Sequence, residues 1–160
     1  ATQALCWAPF LGSAEDAAAV LARLAPLQRG VFEDHVASFW YSTSPALKWR
    51  RLLSPEQLAR LCAVATLCAC APSCWDQIRR PSARGFRLCL ASSALAFFLF
   101  GFQVHEKSIL LPHLAVALGA ADDLGLLAWF APLSAFSMFP LLSRDRLRGP
   151  YAAATAAYAV

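Results

Sequence analysis

Residues 101–112 read Gly-Phe-Gln-Val-His-Glu-Lys-Ser-Ile-Leu-Leu-Pro and place three adjacent ionisable residues, His105, Glu106 and Lys107, between two apolar runs. The upstream run is Leu-Ala-Phe-Phe-Leu-Phe at 95–100, and the downstream run is Ile-Leu-Leu. Burying each ionisable side chain without a partner costs several kcal/mol, so a soluble domain rarely carries such a triplet here. In a membrane protein, ionisable residues beside an apolar span indicate a functional site.

Composition also favours a membrane protein. The chain is 59% hydrophobic and 15% charged, with a mean hydropathy of +0.50, whereas soluble domains are about 45–50% apolar and about 25% charged. We therefore predict an all-α, polytopic membrane protein whose main surroundings are the lipid bilayer. The net charge of +4 is modest and comes from Arg-rich clusters. Such clusters beside apolar spans are typical of cytosolic loops, and no nucleic-acid partner is predicted.

The ends of the chain do not resemble natural ends. The sequence lacks an initiator Met, and residues 1–11 lack the pattern of a signal peptide. The last residue falls inside the apolar run 151–160. We expect residues 1–160 to be a single transmembrane region that belongs to a larger membrane domain truncated at both ends.

About three spanning helices are predicted, because a helical span needs about 20 apolar residues. The candidates are residues 58–75, 88–104 and 124–142, and Pro72 is expected to kink or end the first of them. The helix that contains the first span is expected to open at Ser54-Pro55, a cap-like residue followed by Pro in the first turn. The loop at 76–87 between the first two carries four Arg, so the positive-inside rule places it on the cytosolic side. The triplet then faces the opposite side.

Shorter apolar segments are predicted to be interfacial or re-entrant. Residues 14–25 have helical spacing but are too short to span, and residues 36–53 have the aromatic-rich composition of an interface. If residues 108–120 only dip into the bilayer, the Arg cluster at 144–148 falls on the same side as the first Arg-rich loop. That agreement favours a re-entrant or half-length helix after the triplet, although the basic residues 48–51 fit only if residues 36–53 also cross.

The triplet has the chemistry of an anion site. Lys107 offers an ammonium and His105 a switchable donor, which together suit a phosphate. Glu106 can pair with Lys107, orient His105 or accept a hydrogen bond from a sugar hydroxyl. The alternative is an ordinary interface in which Lys107 extends to the lipid headgroups, and the residue types alone do not decide. His113 is expected to be packed or interfacial.

A second candidate group is Arg29 with Glu33 and Asp34. Its carboxylates can accept bonds from adjacent hydroxyls or act as acid or base, although a solvated loop explains the same residues. The six cysteines contain no Cys-x-x-Cys pair, and most lie in an apolar segment, where cysteine acts as a small hydrophobe. No metal and no cofactor are predicted.

Residues 101–112 closely resemble the signature of the endoplasmic-reticulum glucosyltransferases that extend the lipid-linked N-glycan precursor. Residues 29–40, Arg-Gly-Val-Phe-Glu-Asp-His-Val-Ala-Ser-Phe-Trp, resemble the Arg-Gly-Leu-Phe-Glu-Asp-Lys-Val-Ala-Asn-Phe-Trp of the branch that adds the first glucose. The departures are His35 for Lys and Ser38 for Asn. Shorter similarities follow the family's order at 7–10, 23–26, 82–86 and 136–142.

The resemblance implies an inverting transferase of the polytopic C-type fold in the endoplasmic-reticulum membrane, with its active site facing the lumen. It would move glucose from dolichyl phosphate glucose to the terminal mannose of the dolichyl-diphosphate-linked oligosaccharide, forming an α-1,3 bond. The general base of such folds is an Asp in the first luminal loop, upstream of this chain. No catalytic residue is therefore expected here, and Arg29, Glu33 and Asp34 would instead line the luminal cavity.

For the triplet, the resemblance implies a donor site. His105, with Lys107, would contact the donor phosphate and stabilise charge on the leaving group, and Glu106 would orient the pair. The competing hypothesis is a segment of a transporter or channel that uses the same three residues as an ion or proton site.

Overall fold

The computed structural model describes residue 7 and residues 12–24, 36–119 and 123–158. The chain divides into two compact units, residues 1–30 and residues 31–160. In the first unit, helix α1 spans Ala14–Leu24 and carries Glu15 and Asp16 in its first turn and Arg23 in its last. These charges complement the helix dipole. The helix predicted for residues 14–25 is confirmed.

The described part of the second unit is helical and contains no strand, which confirms the all-α prediction. Helices α4 and α5 are long and apolar enough to cross a membrane, and α7 is a shorter apolar helix. The elements are α2 (Phe39–Thr43), α3 (Trp49–Leu52), α4 (Pro55–Arg79), α5 (Ala83–Phe100), a 3₁₀ helix (Glu106–Ile109), α6 (Leu110–Leu118), α7 (Leu124–Ser137), α8 (Phe139–Arg144) and α9 (Arg148–Tyr158).

Helix α4 begins where the sequence predicts and ends later. The Ser54 hydroxyl accepts a hydrogen bond from the Gln57 N–H, and the Gln57 side chain accepts one from the Ser54 N–H. This is a capping box, and Pro55 occupies the first helical position. The helix continues through Pro72 to Arg79, so Pro72 does not end it and the predicted loop at 76–87 is much shorter. Apolar membrane helices tolerate an internal Pro when neighbouring elements pack against them.

The turn after α5 directs the triplet away from that helix. A Cβ atom added to Gly101 would lie 2.5 Å from the Phe97 carbonyl oxygen and 2.8 Å from a Val104 methyl. Only glycine therefore allows the backbone to fold so closely over the last turn of α5. The next helix is capped by His105, whose Nδ1 accepts a hydrogen bond from the Lys107 N–H at 3.2 Å.

Trp40 connects residues 36–53 to the end of α5. Its side chain is 2% exposed, and its indole Nε1–H donates to the Phe100 carbonyl oxygen at 2.9 Å. The Trp49 ring packs edge-on against the Trp40 ring, with centroids 5.3 Å apart. The aromatic segment therefore forms two short helices, α2 and α3, that pack at the Gly101 end of α5. Neither helix is long enough to span a bilayer.

Helix α6 is as short as predicted, but it does not return to the triplet. Its C-cap, Gly119, lines a cavity of about 100 Å³ together with Arg84 and Arg87 from the start of α5 and with Asp123, the N-cap of α7. α6 therefore leads back along α5 to the Arg84 end, unlike a re-entrant helix. The 3₁₀ helix and α6 together rise about 21 Å, which is about 6 Å less than the rise of the 18-residue α5.

The third predicted span, residues 124–142, is divided into two helices. α7 ends at Ser137, Met138 forms the junction, and α8 begins with Pro140 in its first turn. Proline has no N–H to continue the hydrogen-bond ladder of the preceding helix. α7 begins at the Arg84 end of α5, so its direction brings α8 towards the Gly101 end.

Replacing Trp40 with Phe should destabilise this end of the bundle. Trp40→Phe keeps an aromatic ring but leaves the Phe100 carbonyl without its indole donor. The free energy of unfolding is expected to fall by about 1–3 kcal/mol, measured as a lower thermal midpoint of the intact protein in detergent. Trp75→Phe is the matched control, because Trp75 is 57% exposed on α4. Equal losses for both variants would contradict the role assigned to Trp40.

Candidate functional site

A large cavity, about 1160 Å³ in volume, lies at the Gly101 end of α5. Cavities of this size accommodate small-molecule ligands. Its walls are mainly apolar and include four hydroxyl side chains, one carboxylate and one guanidinium. The lining residues are Val36, Ala37, Tyr41, Ser42, Pro45, Leu95, Phe98, Leu99, Glu106, Ile109, Trp129, Phe130, Leu133, Ser134, Phe136, Ser137, Phe139, Pro140, Leu141 and Arg144.

Glu106 is the buried charge of this cavity. Its side chain is 3% exposed, and its Oε2 accepts no hydrogen bond from the residues that the structure describes. His105 Nε2 lies 3.3 Å from that oxygen. Buried carboxylates are normally hydrogen-bonded, because desolvation without compensation is costly. An incompletely satisfied carboxylate on a cavity wall is therefore suited to accept a hydrogen bond from a ligand.

The structure separates the triplet into an inward and an outward part. Glu106 lines the cavity, whereas the His105 side chain is 52% exposed and Lys107 is exposed. Because His105 Nδ1 accepts the Lys107 N–H, a neutral ring carries its proton on Nε2, the nitrogen nearest Glu106. His105 and Glu106 are therefore adjacent, but no ion pair joins Glu106 to Lys107 within the described ranges.

Arg144 was missed as a site residue by the sequence analysis. Its place in the sequence predicts that it belongs to a cytosolic Arg cluster, yet it lines the same cavity as Glu106. Its side chain is 64% exposed, and its Nε lies 3.9 Å from the Asp145 carboxylate. The sequence signal for this position is Pro140. The helix before it, α7, ends at Ser137, and the short helix α8 brings Arg144 to the cavity.

Hydroxyl groups on α7 are fixed by hydrogen bonds. Ser134 is 2% exposed, donates to the Ala131 carbonyl at 2.8 Å and lies 2.7 Å from His113 Nδ1. Since the Ser134 proton is used by Ala131, His113 Nδ1–H is the donor in the second bond. His113 therefore packs between α6 and α7, which confirms its predicted structural place, and Ser134 is held on the cavity wall.

The second motif reaches the same cavity at its described end. Val36 and Ala37 line it, and Ser38 caps α2 by accepting the Tyr41 N–H at 3.3 Å. Ser and Asn are both favourable N-caps, so Ser38 in place of the usual Asn preserves this role. Arg29, Glu33 and Asp34 lie outside the described residues, and their place in the site remains a prediction.

The described residues contain no group of three His, Cys, Asp or Glu side chains arranged to hold a metal ion. The polar groups at the cavity are a carboxylate, hydroxyls, an imidazole next to the carboxylate and a guanidinium. These groups can bind and orient a polar ligand that also carries a large apolar part.

Comparison with known proteins identifies the family of this chain. The family model described as the ALG6, ALG8 glycosyltransferase family matches residues 1–160. The chain belongs to this family, which confirms the resemblance found in the motifs at 29–40 and 101–112.

Individual relatives support the same assignment. The chain is 46% identical to the probable dolichyl pyrophosphate Man9GlcNAc2 alpha-1,3-glucosyltransferase of Arabidopsis thaliana, over 94% of this chain and 28% of the relative. It is 45% identical to the dolichyl pyrophosphate Man9GlcNAc2 alpha-1,3-glucosyltransferase of Gallus gallus, over 99% of this chain and 31% of the relative. It is 43% identical to the probable enzyme of the same description from Drosophila melanogaster, over 98% of this chain and 33% of the relative. The chain thus spans about three tenths of the length of these curated relatives.

Replacing Glu106 with Gln should stabilise the protein in the absence of ligand. The substitution keeps the shape of the side chain and removes a buried carboxylate whose Oε2 accepts no hydrogen bond from the part of the chain that the structure describes. The free energy of unfolding is expected to rise by about 1 kcal/mol, measured by thermal unfolding of the intact protein. The exposed Glu56→Gln is the matched control and should have no stabilising effect. A clear loss of stability in Glu106→Gln would show that the carboxylate has a structural role.

Proposed function

We propose that this chain forms the donor-binding part of an α-1,3-glucosyltransferase. The intact enzyme would transfer glucose from dolichyl phosphate glucose to the terminal mannose of a dolichyl-diphosphate-linked oligosaccharide, with inversion at the anomeric carbon. The observation that carries the proposal is the buried Glu106 on the wall of a large apolar cavity, which residues 36 and 37 of the second motif also line. The names of the relatives support the acceptor and the linkage.

The cavity has the properties that such a donor requires. Its apolar walls suit an isoprenoid chain, and the Glu106 carboxylate can accept a hydrogen bond from a glucose hydroxyl. His105 and Lys107 are exposed beside Glu106, where a phosphate at the cavity mouth can reach them. In this arrangement Glu106 holds the sugar and orients His105.

The reaction explains why positive groups are needed near the phosphate. The acceptor hydroxyl attacks the anomeric carbon, and the bond to the phosphate oxygen breaks. The phosphodiester carries one negative charge before transfer, whereas the departing dolichyl phosphate carries about −1.5 to −2 at neutral pH. Groups that interact more strongly with the second state lower the barrier. His105 and Lys107 are assigned this role.

Other parts of the site complete the proposal. Arg29, Glu33 and Asp34 contact sugar hydroxyls or fix the loop that does so. The general base that accepts the proton of the attacking hydroxyl is not assigned to this chain, so the 160 residues alone are expected to be inactive.

The proposed location is the endoplasmic-reticulum membrane with the cavity facing the lumen. The Arg-rich start of α5 and the cavity lie at opposite ends of that helix. If the Arg-rich end is cytosolic, as the positive-inside rule favours, the cavity opens on the luminal side. This inference uses Arg79, Arg80, Arg84 and Arg87 and does not depend on the later Arg cluster.

A glucosyl-transfer assay tests the function and the role of His105. The intact enzyme is mixed with dolichyl phosphate glucose and a mannose-capped lipid-linked oligosaccharide. His105→Ala should reduce turnover by about 10- to 100-fold, because a hydrogen bond to a charged group contributes about 1.5–3 kcal/mol. Lys107→Ala should raise the KM for the donor, and the exposed Lys48→Ala is its matched control.

The outcomes separate the alternatives. Unchanged turnover and donor affinity in His105→Ala would remove the phosphate role, provided that the wild type is active. Absence of transfer by the wild type, under conditions in which a relative is active, would remove the glucosyltransferase proposal. Substrate-dependent flux without transfer would support the transporter or channel hypothesis.

A further inference from the structure

Arg144 does not lie where the positive-inside rule would place it. Arg84 and Arg87 line the small cavity at the start of α5, whereas Arg144 lines the large cavity with Leu95 and Phe98 from the last turns of the same helix. The two Arg-rich regions are therefore near opposite ends of α5. If the Arg84 end is cytosolic, the positive-inside rule does not account for Arg144 at the other end.

The charges around the large cavity also leave a role for Arg144. Among the described residues, Glu106 and Arg144 are the ionic groups in its lining. The contact of Arg144 with Asp145 is 3.9 Å long, involves Nε, and joins side chains that are 64% and 50% exposed. An exposed pair of this kind contributes little, and it leaves the two terminal guanidinium nitrogens available for a planar, bidentate interaction with an anion.

The lining defines the chemistry of the ligand. Apolar walls suit a hydrocarbon chain, the Glu106 carboxylate suits a hydroxyl donor, and the Arg144 guanidinium suits a phosphate. A free sugar lacks the chain and the anion, and a neutral glycolipid lacks the anion. A glycosyl phosphate attached to a lipid satisfies all three parts.

We propose that Arg144 binds the phosphate of the lipid-linked sugar donor while Glu106 binds its sugar hydroxyls. This inference rests on the proposed function and adds a substrate-binding residue to it. Without Arg144, the fixed charges of Glu106 and Lys107 cancel, although the phosphate gains negative charge as the glycosidic bond breaks. Arg144 adds a positive charge to the cavity wall, which its neighbour Asp145 does not line, and so favours the departing phosphate over the intact donor.

Two soluble probes separate the contributions of these residues in the intact enzyme. One is a short-chain isoprenyl phosphate without a sugar, and the other is the corresponding glucosyl phosphodiester. Arg144→Gln should weaken binding of both probes at least tenfold, and Arg144→Lys should recover part of the affinity because Lys keeps the charge but not the bidentate geometry. Glu106→Gln should weaken the glucosyl probe and leave the bare phosphate unchanged or bound more tightly.

Arg148→Gln is the matched control, because Arg148 is exposed at the start of α9 and does not line the cavity. It should bind both probes as the wild type does. If Arg144→Gln also binds the bare phosphate as the wild type does, the proposal is overturned. If Arg144→Gln is less stable, the thermal shift caused by the phosphate probe decides: the wild type gains stability from it, and the variant gains little. An equal thermal shift in both proteins would also overturn the proposal.

Failure of the proposed function gives a different result. If the wild type binds the phosphate probe through Arg144 but transfers no glucose, the anion site is supported and the proposed reaction is overturned. If the wild type transfers glucose and Arg144→Gln has the same KM for the donor, the proposed reaction is supported and the role of Arg144 is overturned.

Discussion

The hydrogen bond from the Trp40 indole to the Phe100 carbonyl connects the two motifs on which the site depends. Trp40 ends the motif at 29–40, and Phe100 directly precedes the motif at 101–112. Because the Trp40 side chain is buried, the bond fixes residues 36 and 37 beside the end of α5, where they line the large cavity. The close fold of the chain at Gly101 then turns Glu106 towards the same cavity. Sequence segments about 60 residues apart thus form one site.

The cavity combines an apolar interior with charges that do not neutralise each other through a close contact. Within the described ranges, Glu106 is buried next to His105, and Arg144 is exposed next to Asp145. A fold that required these charges only for stability would be expected to pair them closely. Their arrangement instead resembles a site prepared for a ligand, in which stability is exchanged for binding chemistry. The same logic explains why the polar groups on α7 that belong to packing, Ser134 and His113, do satisfy each other.

Much of the fold was predictable from local sequence signals. The cap at Ser54, the apolar lengths of α4 and α5, and the helical spacing of residues 14–25 depend on neighbouring residues, so they were predicted correctly. The path of α6 and the position of Arg144 were not predicted, because they depend on which end of α5 each segment packs against. A charge cluster was treated as a marker of one membrane side, although Pro140 divides the span before it. The sequence shows that residues 105–107 are ionisable and therefore predicts a polar site. It does not show that Glu106 lies in the cavity wall, because that depends on the 3₁₀ helix.

The shortness of α7 has a consequence for the surrounding lipid. A helix of 14 residues rises about 21 Å, which is less than the hydrocarbon thickness of about 30 Å of a typical bilayer. Such mismatch is relieved by thinning of the adjacent leaflets. Thinning next to the large cavity would bring lipid headgroups closer to the midplane and shorten the distance over which a polar headgroup must move to enter from the side. The division of this helix at Met138 would therefore link the shape of the protein to the path by which the proposed lipid-linked donor enters the cavity.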